Sequence, residues 1–172
     1  EGIHNRSDFD LKQHEAYSGK KMMAMDATTN KKFHPFIIET SAGCDRTVLA
    51  ILSQAYEEQT LEDGSERTVM HFHPAVAPIK VAILPLMKKD GLKELAYEIY
   101  DDLKKILPAF FDEKGAIGRR YRRMDEAGTP FCVTIDHDTI EKGTVTIRDR
   151  DSMGQVTIPK EELKAWLLER IY

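Results

Sequence analysis

Between residues 79 and 172 the apolar residues switch back and forth between two spacings, and this limits the chain to few architectures. The run "IKVAIL" (79–84) is short, apolar and rich in β-branched residues, fit for a buried strand. Leu92, Leu95, Ala96, Ile99, Leu103, Ile106 and Leu107 then recur at the i, i+3, i+4, i+7 spacing of an amphipathic helix. "AFF" (109–111) predicts a short strand, residues 117–127 a helix stopped at Gly128, and "FCVTID" (131–136) another strand. "TVTIR" (144–148) and "QVTI" (155–158) predict a hairpin. Pro159 precedes a last helix with Leu163, Trp166, Leu167 and Ile171 on one face. The order β-α-β-α-β-β-β-α predicts an α/β fold, a five-stranded mixed sheet flanked by helices.

The residues before this region do not make a complete unit. "NRSDFDLKQHEAY" predicts a helix opened by a loose capping box, Ser7 with Asp10. "KMMAM" and "KKF" are short strand candidates, residues 36–39 a strand, and residues 43–56 a helix with Val48, Ile51, Leu52 and Ala55 at helical spacing. One or two helices and a few strands cannot close a core, so this part is expected to pack on something outside the sequence. The charged stretch "EEQTLEDGSERTVMHFHPAV" (57–76), with Asp63-Gly64 and Pro74, reads as a connector. The expected division is therefore residues 1–58, a connector at 59–76, and a complete domain at 77–172.

With 41% hydrophobic residues in 172 the chain can bury a core, while 31% charged residues argue against a membrane protein. No apolar run approaches the ~18 to 20 residues of a spanning helix, the longest being broken at Pro85. No signal peptide is visible and the first residue is not Met, so the chain reads as a portion of a longer, cytoplasmic protein. Cys44 and Cys132 form no CxxC pair, and Cys132, inside "PFCVTI", is expected to be a buried thiol. The formal net charge of −4 means that any nucleic-acid binding must come from a local basic patch, because neutralising phosphates supplies the affinity.

Two such patches are present. In "GAIGRRYRRMDEAG", Ile117, Tyr121 and Met124 share one helical face, while Arg119, Arg122 and Arg123 fall opposite, with Arg120 at the edge. Guanidinium forks suit phosphates and base edges, although a solvated face tied to Asp125 and Glu126 by ion pairs is an equally simple reading. In "RDRDSM" (148–153) the strand pattern points Val145 and Ile147 to the core and Thr144, Thr146, Arg148 and Arg150 away from it. Arg148, Asp149 and Arg150 then crowd a hairpin end. There they are either a turn held by Arg–Asp pairs or readers of guanine and cytosine edges.

The stretch "ETSAGCDR" (39–46) sits at a strand-to-helix junction. Glu39 can face an ammonium, Ser41 offers a short hydroxyl, Gly43 admits close backbone approach, and Arg46 in the first helical turn can meet a phosphate or a base. Extended to "ETSAGCDRTVLAIL", it resembles motif 3 of class II aminoacyl-tRNA synthetases in the glycyl-tRNA synthetase version, E-P-S-x-G-x-x-R. "EGIHNRSDFDLKQH" resembles the segment preceding that motif. "APIKVAILPL", "GAIGRRYRRMDEAGTPFCVTID" and "TVTIRDRDSMGQV" resemble the family's anticodon-binding domain, so the likeness covers nearly the whole chain in order.

The resemblance implies a homodimeric ligase that uses ATP and Mg²⁺ to form glycyl-adenylate and transfers glycine to tRNA(Gly). It implies that Glu39, Ser41 and Gly43 hold glycine and that Gly43 and Arg46 serve ATP; the two charged clusters are then expected to contact the anticodon arm through Arg119, Arg120, Arg123, Arg148, Asp149 and Arg150. No residue is assigned a catalytic role and no tightly bound cofactor is expected. Thr40 stands where the family has Pro, and family motifs 1 and 2 are absent, so this chain carries one wall of the adenylate site and is expected to be inactive alone. The alternative from another class is a non-catalytic nucleic-acid-binding module such as the accessory subunit of the mitochondrial DNA polymerase. A related synthetase for proline, threonine or histidine is a third. His71 and His73 form an isolated i, i+2 pair, and no metal site is expected there. Trp166 reads as a core anchor.

Overall fold

The computed structural model describes residues 1–87 and 91–172, which form two compact units, Glu1–Ala50 and Ile51–Tyr172. In the first, β1 (Gly2–Asn5) pairs antiparallel with β4 (Ile38–Ser41), setting Gly2 opposite Ser41 and His4 opposite Glu39. Helix α1 (Phe9–Ser18) follows β1, and a small ribbon of β2 (Ala24–Asp26) and β3 (Lys31–Phe33) follows α1. The expected capping box does not form. Ser7 takes a left-handed φ of 52°, and Asp10 is gripped by Arg6 through two hydrogen bonds of 2.9 Å. Helix α2 (Cys44–Ala55) runs across the division between the units. None of the first 50 residues is buried, and Ile3, Phe9, Phe36 and Leu49 lie exposed. Within this unit these apolar side chains are left without a covering layer.

The second unit begins with a difference from expectation. The stretch read as a connector is a hairpin, β5 (Tyr56–Thr60) with β6 (Glu66–Met70), in which Val69 and Arg67 are buried. Period 2 puts both on one face of β6, and these two are the buried positions of the paired strands, while the charged, exposed remainder makes the run look like loop.

The rest follows the predicted order. Strands β7 (Val81–Pro85), β8 (Ala109–Phe111), β9 (Phe131–Ile135), β10 (Thr144–Asp149) and β11 (Gln155–Pro159) form one sheet in the order β11-β10-β9-β7-β8. β7 is parallel to β8 and β9, and β10 is antiparallel to β9 and β11. Helices α3 (Leu92–Leu103) and α6 (Leu163–Ile171) cover one face, where Val81, Ile83, Leu92, Val133, Ile147 and Leu167 pack together. Helix α4 (Ile117–Glu126) covers the other, with Met124, Ile117 and Tyr121 against Ala82, Leu84 and Cys132. Burial on both faces explains the unbroken apolar runs of β7 and β9. Periodicity does not predict the short α5 (His137–Glu141), which Asp136 opens by accepting from the Thr139 amide at 3.2 Å while Thr139 Oγ1 accepts from the Asp136 amide at 3.1 Å.

Candidate functional site

In the first unit, Ser41, Gly43 and Arg46 line one cavity of about 510 Å³, joined by Gly2, His4 and Thr47. Strand β4 presents Ser41, the turn supplies Gly43, and the first turn of α2 carries Arg46, so three of the four expected motif residues are brought together. Glu39, two residues back on β4, faces an adjoining cavity with His4, Arg6 and Phe9. Its carboxylate lies 3.4 Å from Arg6 Nε, and Arg6 is also held by Asp10. A Cβ placed on Gly43 would meet nothing nearer than Arg46 Cβ at 3.6 Å, so the protein itself leaves this position open. Sequence reasoning overlooked His4. The pairing of two short strands 35 residues apart, which sets it opposite Glu39, leaves no local signal.

In the second unit the arginines divide into two kinds. Arg119 and Arg123 are exposed on α4. Arg123 pairs with Asp112 and donates to the Lys114 carbonyl at 2.7 Å. Burial pushes the Asp112 carboxyl up, but the Lys114 amide and Arg123 outweigh it and hold the group below the usual carboxylate range. Arg122 is half-buried, 3.5 Å from Ser65 Oγ in the β5–β6 turn. Arg120, expected at the edge of the exposed face, is instead buried. It donates to the carbonyls of Pro85 at 2.6 Å, Asp112 at 3.2 Å and Leu86 at 3.3 Å, bracing the end of β7.

The hairpin-end cluster requires a larger correction. Arg148 and Arg150 are 6% and 3% exposed, because the sheet face opposite Val145 and Ile147 is covered by α4 and is not open to solvent. Arg148 makes a forked pair with Asp125 at 2.9 and 3.2 Å and lies 4.9 Å from the Tyr121 ring centroid. Arg150 donates to the Gly128 carbonyl at 2.9 Å and pairs with Asp151 at 2.7 Å. Asp149 accepts from the Ser152 amide and hydroxyl at 2.8 and 2.7 Å, closing the β10–β11 turn. For Arg148 to reach a base it would have to give up Asp125.

The hairpin β5–β6 is bolted onto this cluster. Arg67 donates to Asp125 at 2.9 Å, to Gln59 at 3.0 Å and to the Arg150 carbonyl. His71 sits between Glu57 at 2.7 Å and Asp151 at 2.6 Å. Burial pushes Asp151 up, yet hydrogen bonds from Arg150 and His71 leave it below the ordinary value. Sequence reading does not find Arg67, and it names Asp125 only as an ion-pair partner on a solvated face; the one available signal is the period-2 match of Arg67 with Val69. Among the described residues no group of three or more His, Cys, Asp or Glu is set to hold a metal ion. Likewise no helix among them is long and apolar enough to cross a membrane.

Comparison with known proteins extends these observations. The chain is 56% identical over 168 residues to a glycine–tRNA ligase of Treponema denticola, a match covering 95% of this chain and 37% of that relative. It is 52% identical over 170 residues to one of Geobacillus kaustophilus, covering 99% of this chain and 36% of that one. The chain thus spans little more than a third of the length of the curated relatives it matches. Among solved structures, a histidyl-tRNA synthetase from Nostoc sp. shares the fold over 55% of this chain and 23% of its own, with a TM-score of 0.51 at 24% identity. A family model described as "Anticodon binding domain" matches residues 80–170, from the start of β7 through α6. That match takes in just over half of the residues, and the chain belongs to the family of anticodon-binding domains.

Proposed function

We propose that this chain is the C-terminal part of a glycine–tRNA ligase, contributing one wall of the glycyl-adenylate site and the module that contacts tRNA(Gly). The carrying observation is that identity above 50% to such ligases runs through both the motif-bearing first unit and the anticodon-binding unit. The cavity joining Ser41, Gly43 and Arg46, with Glu39 beside it, supports the motif. In this reading Glu39 faces the glycine ammonium, Ser41 and Gly43 hold the amino acid, and Arg46 contacts ATP, whose phosphates Mg²⁺ neutralises. The complete enzyme is a cytoplasmic homodimer.

The tRNA surface is assigned first to Arg119 and Arg123, the exposed arginines of α4. Arg120, Arg148 and Arg150 shape that surface from beneath, and Asp149 closes the β10–β11 turn at its edge. The free-standing DNA-polymerase-accessory reading is less well supported, since a pure binding module has no need of Glu39, Ser41 and Arg46 together.

The test is ATP–pyrophosphate exchange by the full-length protein with glycine, proline, threonine and histidine. Exchange with glycine alone is expected; exchange with any of the others in its place overturns the substrate assignment. The 172-residue chain by itself should show no glycine-dependent exchange, because the remaining walls of the ATP site are elsewhere.

A further inference from the structure

The β1–β4 ribbon puts four side-chain positions on one face. Gly2 is opposite Ser41, His4 is opposite Glu39, and alternate residues share a side. A Cβ built on Gly2 would lie 2.6 Å from His4 Nε2 and 3.0 Å from Ser41 Oγ. The imidazole therefore folds back along the strand, over Gly2, toward the Ser41 hydroxyl. His4 lines the cavity of Ser41 and Arg46 and also the one that Glu39 faces. The fold does not need this ring: His4 is exposed and, among the described residues, its side chain has no hydrogen bond or ion pair.

We propose that His4 is a specificity-determining residue that fills the space beside Ser41, so that an amino acid with a side chain cannot seat there. The proposal rests on the reading of Glu39 and Ser41 as the residues that hold glycine. Its logic is steric. A site for glycine gains nothing from a pocket for Cβ and must reject substrates that differ only by added atoms. Binding differences of one methylene give roughly 10- to 200-fold discrimination and favour the larger ligand when the pocket admits it. Rejection of alanine and serine therefore requires the volume next to the substrate Cα to be occupied by protein. A planar imidazole lying along the strand occupies it, and Gly2 permits this because any side chain at position 2 would collide with the ring.

The experiment measures kcat/KM for glycine, alanine and serine by ATP–pyrophosphate exchange in the full-length enzyme. The variants are His4→Ala, His4→Phe and Gly2→Ala, each checked for an unchanged Tm. His4→Ala should raise the alanine-to-glycine and serine-to-glycine ratios by at least ~10-fold. His4→Phe, which restores a flat ring without its nitrogens, should return them toward wild type. Gly2→Ala, by displacing the ring, should shift them in the same direction as His4→Ala. A ratio within twofold of wild type in His4→Ala overturns the proposal, as does failure of Phe to restore it. A wild-type enzyme that activates no glycine counts against the ligase reading itself, and the assignment of His4 falls with it. A wild type that activates glycine, with an unaltered ratio in His4→Ala, counts against His4 alone.

Discussion

Asp125 has no exposed surface and answers two buried guanidiniums at once, Arg67 and Arg148. Removing one partner of a buried pair leaves an uncompensated charge, which costs more than the pair itself contributes. Asp125→Asn should therefore destabilise the second unit by about 3–5 kcal/mol, read from the midpoint of urea unfolding. Arg119→Ala touches no such group and should leave stability within about 0.5 kcal/mol. In the full-length enzyme it should instead weaken tRNA binding and lower the salt slope by ~1, since phosphate contacts position the partner without reading its sequence. Equal losses of stability in the two variants would erase the distinction between buried and exposed arginines. Cys132 gives a separate check. Burial pushes its thiol up to about 12, so its protonated form is favoured by folding. That contribution is complete below the thiol's ordinary value and is lost as pH rises from there toward 12. Native protein should label at the exposed Cys44 and not at Cys132, by mass spectrometry after alkylation. Cys132→Ala should lessen the alkaline loss of stability.

At the scale of elements, the parts legible in the sequence are those that bury a regular apolar pattern. β11, an edge strand with no buried residue, is legible from its β-branched run alone, while β7, α3, β9, β10 and α6 all show their period because the sheet and its helices bury continuous stripes. The β5–β6 hairpin does not, because what it buries is an arginine beside Val69, and charge in a sequence reads as surface. The same blindness left Asp125 on a solvated face, pointed Arg148 and Arg150 away from the core, and missed Arg120 as a brace. A strand pattern shows which residues share a face but not what covers that face. The motif at residues 39–46 was legible as a local junction, whereas His4 depended on a pairing between distant strands. The end of α4 illustrates a feature read correctly for only part of its reason. Gly128 stops the helix with φ +73°, as expected, but a Cβ there would also sit 2.8 Å from Phe72 Cε2 and 3.0 Å from Met70 Cβ, at the end of β6. Gly128→Ala should thus cost more than the ~1–2 kcal/mol of a left-handed alanine, and the excess should disappear when Phe72→Ala is added, as a double-mutant cycle in urea would show.

For the molecule as a whole, the two units differ in kind. The second has a core on each sheet face, and the first has no buried residue. Amide hydrogen exchange on the isolated chain should show strong protection in β7, β9 and β10 and rapid exchange throughout residues 1–50, and protection of comparable strength in both would contradict the division. The Arg67 brace also bears on how the chain is made. Its partners outside the hairpin lie 58 and 83 residues downstream. During synthesis at ~5–20 residues per second, the hairpin emerges several seconds before Asp125 and the Arg150 carbonyl exist to receive that guanidinium. Until then Arg67 has only Gln59, its cross-strand neighbour within the hairpin, and water to bond, so the hairpin cannot seat. The earlier-made hairpin can therefore dock only once α4 and the end of β10 have been made, so its seating runs against the order of translation.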